Sequence, residues 1–182
     1  MITWRSTKRR GKARREDDRC RGRVGGEITQ MCGRHGRHCI RMVKTRDFSC
    51  DAEVHELVDA FESGTIAPSQ FNHAAHMATA LNYLAALPFA DASVRMRAAL
   101  LQFTARHGIH VYHETITTFW MRLLAHLAKG PYRDVPLWSR INLIVKRWEH
   151  AGVLEAHYSR ELIHSKVARQ TWVLPDRLPL NF

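Results

Sequence analysis

Residues 71–87 read Phe71-Asn72-His73-Ala74-Ala75-His76-Met77-Ala78-Thr79-Ala80-Leu81-Asn82-Tyr83-Leu84-Ala85-Ala86-Leu87, and Pro88 follows. Met77, Ala80, Leu81, Leu84 and Leu87 recur three and four positions apart, the period of an amphipathic helix. Alanine and leucine are strong helix formers, and a proline cannot continue the hydrogen-bond ladder. With Ser69 as N-cap, the spacing predicts a helix over residues 71–87.

The same period flanks this stretch on both sides. Val54, Leu57, Val58 and Phe61 form a stripe that begins at Asp51 and stops at Ser63-Gly64. Asp91 is placed to cap a third helix carrying Val94, Ala98, Leu100, Leu101 and Phe103, ended by Gly108. A fourth is expected from Tyr112 to Ala128, closed by Gly130-Pro131. A fifth opens at Asp134 and Pro136, turns Leu137, Ile141, Ile144, Val145 and Trp148 inward, and has Gly152 past its end. Ser159 and Ser165 each start a short helical turn, and Pro175 and Pro179 make the last residues an extended strap. No stretch alternates apolar and polar residues or carries the Asn-Gly and Asp-Gly turns of a sheet. The expected fold over residues 46–182 is therefore an all-α, compact bundle of about five helices.

The chain has 182 residues, of which 45% are hydrophobic, enough for one core. Its charge is segregated. Residues 1–45 hold 14 Lys+Arg against 4 Asp+Glu, a net of +10, and the remainder holds 14 against 13, a net of +1. The basic segment has no helical or strand period and is expected to be a disordered tail. It reads as a nucleic-acid-binding arm, as an organelle-targeting segment, or as an upstream stretch ahead of the true start, with Met31 and Met42 as later starts. The last reading is preferred, because Glu16-Asp17-Asp18 breaks the acid-poor pattern of a targeting segment. No apolar run approaches the ~18 residues that a membrane span requires. Cys20, Cys32, Cys39 and Cys50 all fall near the N-terminus, so no disulfide framework is expected and a reducing cytoplasm fits. Cys32, His35, His38 and Cys39 are chelating types, but their spacing matches no zinc pattern.

The candidate chemistry lies in histidines. His73 and His76, three positions apart on one helix, stand about 60° apart on neighbouring turns, so both can face one ligand. Both fall on the inner arc, where a protonated imidazole is costly, and are expected to be neutral. On the fourth helix, His113 falls on the flank of the apolar arc, with Thr117 four residues on to fix its tautomer. Glu114 projects about 100° away, on the polar side, as a candidate acid or base, and Tyr112 is a candidate for orienting substrate. Tyr83 falls near His76, and Arg160 with Lys166 could close over the pocket to hold an anion. Blander roles compete with each: a histidine on an apolar face is more often a satisfied core residue, Glu114 suits the first turn of a helix, and Ser159 suits a cap.

The runs Phe71-Asn72-His73-Ala74-Ala75-His76, Tyr112-His113-Glu114-Thr115-Ile116-Thr117, and Tyr158-Ser159-Arg160-Glu161 through Trp172 and Pro175-Asp176 resemble a family of small bacterial all-helical proteins of unknown function. The resemblance spans residues 51–182 and departs from the family pattern near Gly108 to His110. It implies a site at His73, His76, Tyr112, His113, Glu114 and Thr117, and brings no activity with it.

The leading expectation is a small-molecule pocket between the second and fourth helices, with a divalent metal held by His73, His76 and His113. Glu114 and Tyr112 would serve catalysis, while Thr117, Tyr83 and Arg160 would touch the ligand. No glycine-rich phosphate loop or nucleophile elbow narrows the reaction, and whether the protein is an enzyme stays open. Two alternatives stand beside it: nucleic-acid binding through residues 1–45, and an interaction module in which the histidines only fill space.

Overall fold

The computed structural model describes residues 43–182, which belong to one compact unit. The basic segment through Met42, with the Cys32/His35/His38/Cys39 group and both candidate starts, lies outside the described residues. Within them the fold is all-α, with eight helices and no strand. They are α1 (Asp51–Ser63), α2 (His73–Ala86), α3 (Phe89–Arg106), α4 (Glu114–Ala128), α5 (Leu137–Trp148), α6 (Val153–His157), α7 (Arg160–Ile163) and α8 (Lys166–Gln170). None is long and apolar enough to cross a membrane.

Helix α2 is the hub, packed against α1, α3, α4 and α5. Its composition explains the position: Ala74, Ala75, Ala78 and Ala80 are buried and let neighbouring helices approach closely, while Met77 and Leu81 fill the gaps. Phe61, Phe71 and Phe103 knit α1, the α2 entry and α3 together, with Phe61 and Phe71 stacked at 4.0 Å between ring centroids. A second, smaller core forms where Phe119 and Leu123 of α4 meet Tyr158, Trp172 and Phe182. The C-terminal strap is thus held by aromatic contacts.

Local chemistry sets most helix ends. Gly64 takes φ +67° after α1, and a Cβ there would collide with the Arg106 side chain, which also donates to the Ser63 carbonyl. Ser159 and Ser165 cap α7 and α8 by accepting from Leu162 and Ala168 N–H, both at 3.1 Å.

Three boundaries differ from the sequence reading, and one helix is added. Helix α2 begins at His73, because Asn72 rather than Ser69 is the N-cap and accepts from Ala75 N–H at 3.0 Å. Helix α3 begins at Phe89, immediately after Pro88, which leaves Asp91 in the first turn. Helix α4 begins at Glu114, with Tyr112 and His113 ahead of it. Gly152 lies past the end of α5 as expected, but it also opens α6, a short helix that the sequence reading lacks. Cys50, placed by the sequence outside any disulfide framework, is disulfide-bonded.

Candidate functional site

Helices α2, α3 and α4 wall a small cleft of about 70 Å³. It is smaller than the ~300–1,000 Å³ of typical small-molecule sites, so only a compact group fits. From α2 come His73, His76 and Ala80, from α3 Met96 and Leu100, and from α4 Ile116, Thr117 and Trp120. All three methionines of residues 43–182, Met77, Met96 and Met121, also face it. The wall is apolar apart from two imidazoles and one hydroxyl.

The expected placement of His73 and His76 on one wall is what the structure shows. The His73 ring meets the Trp120 indole edge-on, with centroids 4.6 Å apart. His76 lies deeper, against Phe71 at 4.2 Å. Burial, and after it the neighbouring His73, pushes His76 down to about 4, with the Phe71 backbone opposing both. Burial also lowers His73; Glu149 offsets part of this and His150 adds to it. Both rings are therefore neutral at pH 7, and they present hydrogen-bonding nitrogens without charge.

His113 does not join them. It is the N-cap of α4: its Nδ1 accepts from Ile116 N–H at 3.3 Å, so the proton sits on Nε2, which donates to the Ile163 carbonyl at 2.7 Å. Both ring nitrogens are committed to backbone, and the side chain is outside the cleft lining. The expected convergence of three imidazoles on one metal is thus corrected to a pair. Among the described residues, no three His, Cys, Asp or Glu side chains are grouped to hold a metal ion. Nor does Thr117 set the His113 tautomer, since Ile116 and Ile163 do that.

Thr117 has a different place. With Met121 it lines both the first cleft and a second one of about 200 Å³, whose other walls are Ser93, Val94, Arg97, Tyr112, Glu114 and Thr118. In the second cleft Glu114 Oε2 accepts from Arg97 Nε at 2.7 Å and from the Tyr112 hydroxyl at 2.8 Å. Burial, then the bond to Glu114, pushes Tyr112 up to about 12, while the Arg97 charge pulls the other way. A polar chain therefore runs from Arg97 through Glu114 to Tyr112, and Thr117 lines the same cleft at its border with the apolar one. Glu114 and Tyr112, expected in the histidine pocket, instead meet in this second cleft, where Arg97, 17 residues upstream of Glu114, joins them unannounced.

Two further expectations are corrected. Tyr83 is buried away from the cleft, donates to Glu62 Oε1 at 2.6 Å, and lies under the Arg95 guanidinium, 4.8 Å from its ring centroid. Arg95 grips both Glu62 oxygens, so this trio is a strut joining α1, α2 and α3. Arg160 is exposed at the start of α7, which Ser159 caps, and it reaches neither cleft. The C-terminal arginine nearest the site is Arg169, which donates to the Tyr112 carbonyl at 3.4 Å.

Against family models, curated proteins and solved structures alike, the chain finds no match. The site's meaning rests on its own chemistry.

Trp120 is the site residue that sequence reasoning passed over, although a signal existed: it lies one turn beyond Ile116 on the same inner arc. Met96, Leu100 and Arg97 gave no such signal, because their place depends on how α3 crosses α2 and α4.

Proposed function

We propose that this protein binds a small molecule in the cleft between α2, α3 and α4, with His73 and His76 as its uncharged hydrogen-bonding groups. The observation that carries the reading is the pairing of two neutral imidazoles with an otherwise apolar wall of thioether, aliphatic and indole groups. Such a wall takes up an apolar body and leaves orientation to a few polar atoms. Methionine side chains adapt to irregular ligands and make favourable sulfur contacts with aromatic rings.

A divalent metal has less support. His73 and His76 are two donors, short of the three or four protein ligands of zinc sites. The reading is binding, with no reaction assigned: Glu114, the candidate acid or base, is held by Arg97 in the neighbouring cleft. A bacterial origin belongs with the family resemblance. A cytoplasmic location has a cysteine-free core in its favour and the disulfide at Cys50 against it. Nucleic-acid binding through residues 1–45 rests on their net charge of +10 alone.

The test uses the full chain labelled with 13C-methyl methionine and titrated with benzyl alcohol. Saturable shifts of Met77, Met96 and Met121, together with the His73 and His76 ring signals, are expected at a Kd of about 1 mM, ordinary for so small a probe. Shifts that do not saturate, or that persist unchanged in a Leu100→Trp variant with the cleft blocked, would remove the proposal.

A further inference from the structure

The two clefts share a wall of Thr117 and Met121, yet their characters differ. One is apolar with an imidazole rim; the other is polar, built around Glu114, Tyr112 and Arg97. We propose that they are the two halves of one site, whose ligand is an uncharged molecule with an aromatic or alicyclic body and a hydroxyl or amide head. This inference rests on the binding reading above and specifies its ligand class.

The body is assigned by the walls of the first cleft, where Trp120, Met96 and Leu100 offer an indole edge, a thioether and an aliphatic surface. The head is assigned by Glu114. Its Oε2 is occupied by Arg97 and Tyr112, while Oε1 is met by the Thr118 hydroxyl at the long distance of 3.5 Å. A carboxylate oxygen has two lone pairs, so Oε1 retains acceptor capacity, and Glu114 lines the second cleft. What it accepts must be a donor: a hydroxyl or an amide N–H.

The absence of net charge follows from the pairing. Arg97 and Glu114 cancel at 2.7 Å, and the two imidazoles of the first cleft are neutral. An anionic or cationic ligand would leave water and find no uncompensated opposite charge among these groups, a loss that grows with burial. Thr117, at the junction, can donate to or accept from the atom that joins body to head.

The experiment compares five probes of one size on the full chain: toluene, benzyl alcohol, benzamide, benzoate and benzylammonium, read by the methionine methyl signals. Benzyl alcohol and benzamide are expected to bind about fivefold more tightly than toluene, the worth of one net hydrogen bond. They should also bind about tenfold more tightly than either ion. In Glu114→Gln, Arg97 loses its counter-charge, so benzoate should gain on benzamide. Toluene matching benzyl alcohol would overturn the two-part site and leave the first cleft as a binder. A preference for either ion, or a Glu114→Gln variant with the same order of probes, would overturn the ligand class. Silence from all five probes would overturn this inference and the binding reading together.

Discussion

His113 donates from Nε2 to the Ile163 carbonyl at 2.7 Å, tying the first turn of α4 to the last residue of α7. The same ring accepts from Ile116 N–H, so one side chain both caps a helix and anchors the C-terminal segment. Next to it, Thr115 repeats the pattern: its hydroxyl donates to the Thr171 carbonyl at 2.8 Å and accepts from Val173 N–H at 3.2 Å. The α4 entrance is therefore a clasp, and the motif around His113 is first a structural one.

Removing that clasp should cost stability without touching the cleft. His113→Ala loses the cap and leaves the Ile163 carbonyl without its donor, an expected loss of about 2–3 kcal/mol in urea unfolding. His113→Asn restores a capping oxygen but does not reach Ile163, so about half of the loss should return. If both variants bind benzyl alcohol as the parent does, His113 is excluded from the ligand; a selective loss of binding at unchanged stability would contradict the clasp.

Stability should fall as the solution is acidified below neutrality. His73, His76 and His113 are all held below the ordinary value of 6.5, first by burial. The folded chain then stays neutral at these rings while the unfolded chain binds protons, so the contribution is complete above pH 7 and shrinks as pH drops through 6.5 toward the folded value. For His76, a descent from 6.5 to about 4 is worth roughly 3 kcal/mol at ~1.4 kcal/mol per unit. Urea midpoints between pH 7 and pH 4.5 should show a steep slope that flattens in His76→Gln. An identical slope in that variant would show that other groups titrate instead.

Tyr83→Phe separates strut from site. The lost hydroxyl donates to Glu62, which keeps its two bonds to Arg95. The expected cost is about 1 kcal/mol, the net worth of a neutral donor on a carboxylate already paired elsewhere. Probe affinity should stay level; a fall in affinity would return Tyr83 to the ligand site.

Much of this architecture could be read from the sequence, because helices announce themselves locally. The stripe from Val54 to Phe61, the breaks at Gly64 and Gly108 with φ of +67° and +64°, and the serine caps Ser159 and Ser165 each depend on neighbours within a turn. The spacing of His73 and His76 likewise fixed their common wall. What escaped depends on partners far along the chain. His113 finds Ile163 across 50 residues, Glu114 finds Arg97 across 17, and Tyr83 finds Glu62 across 21. Histidine is also outside the usual set of capping residues, so nothing in the local pattern marked it as one. A helical wheel reports which face turns inward; it does not report which neighbour waits there.

Ala80 gives the most direct control over the cleft. It lies on α2, is buried, and presents its methyl group to the open space between α3 and α4. Ala80→Leu extends into that space instead of into a filled core, so the ~1–3 kcal/mol strain of overpacking should be offset by the apolar surface newly covered. Thermal unfolding should therefore stay within about 3 °C of the parent, while benzyl alcohol affinity falls by tenfold or more as the larger side chain occupies its place. A strongly destabilised variant would mean that the cleft is narrower than its walls imply. A stable variant with undiminished affinity would place the probe elsewhere, because a ligand lodged in the cleft beside Ala80 cannot share that volume with a leucine.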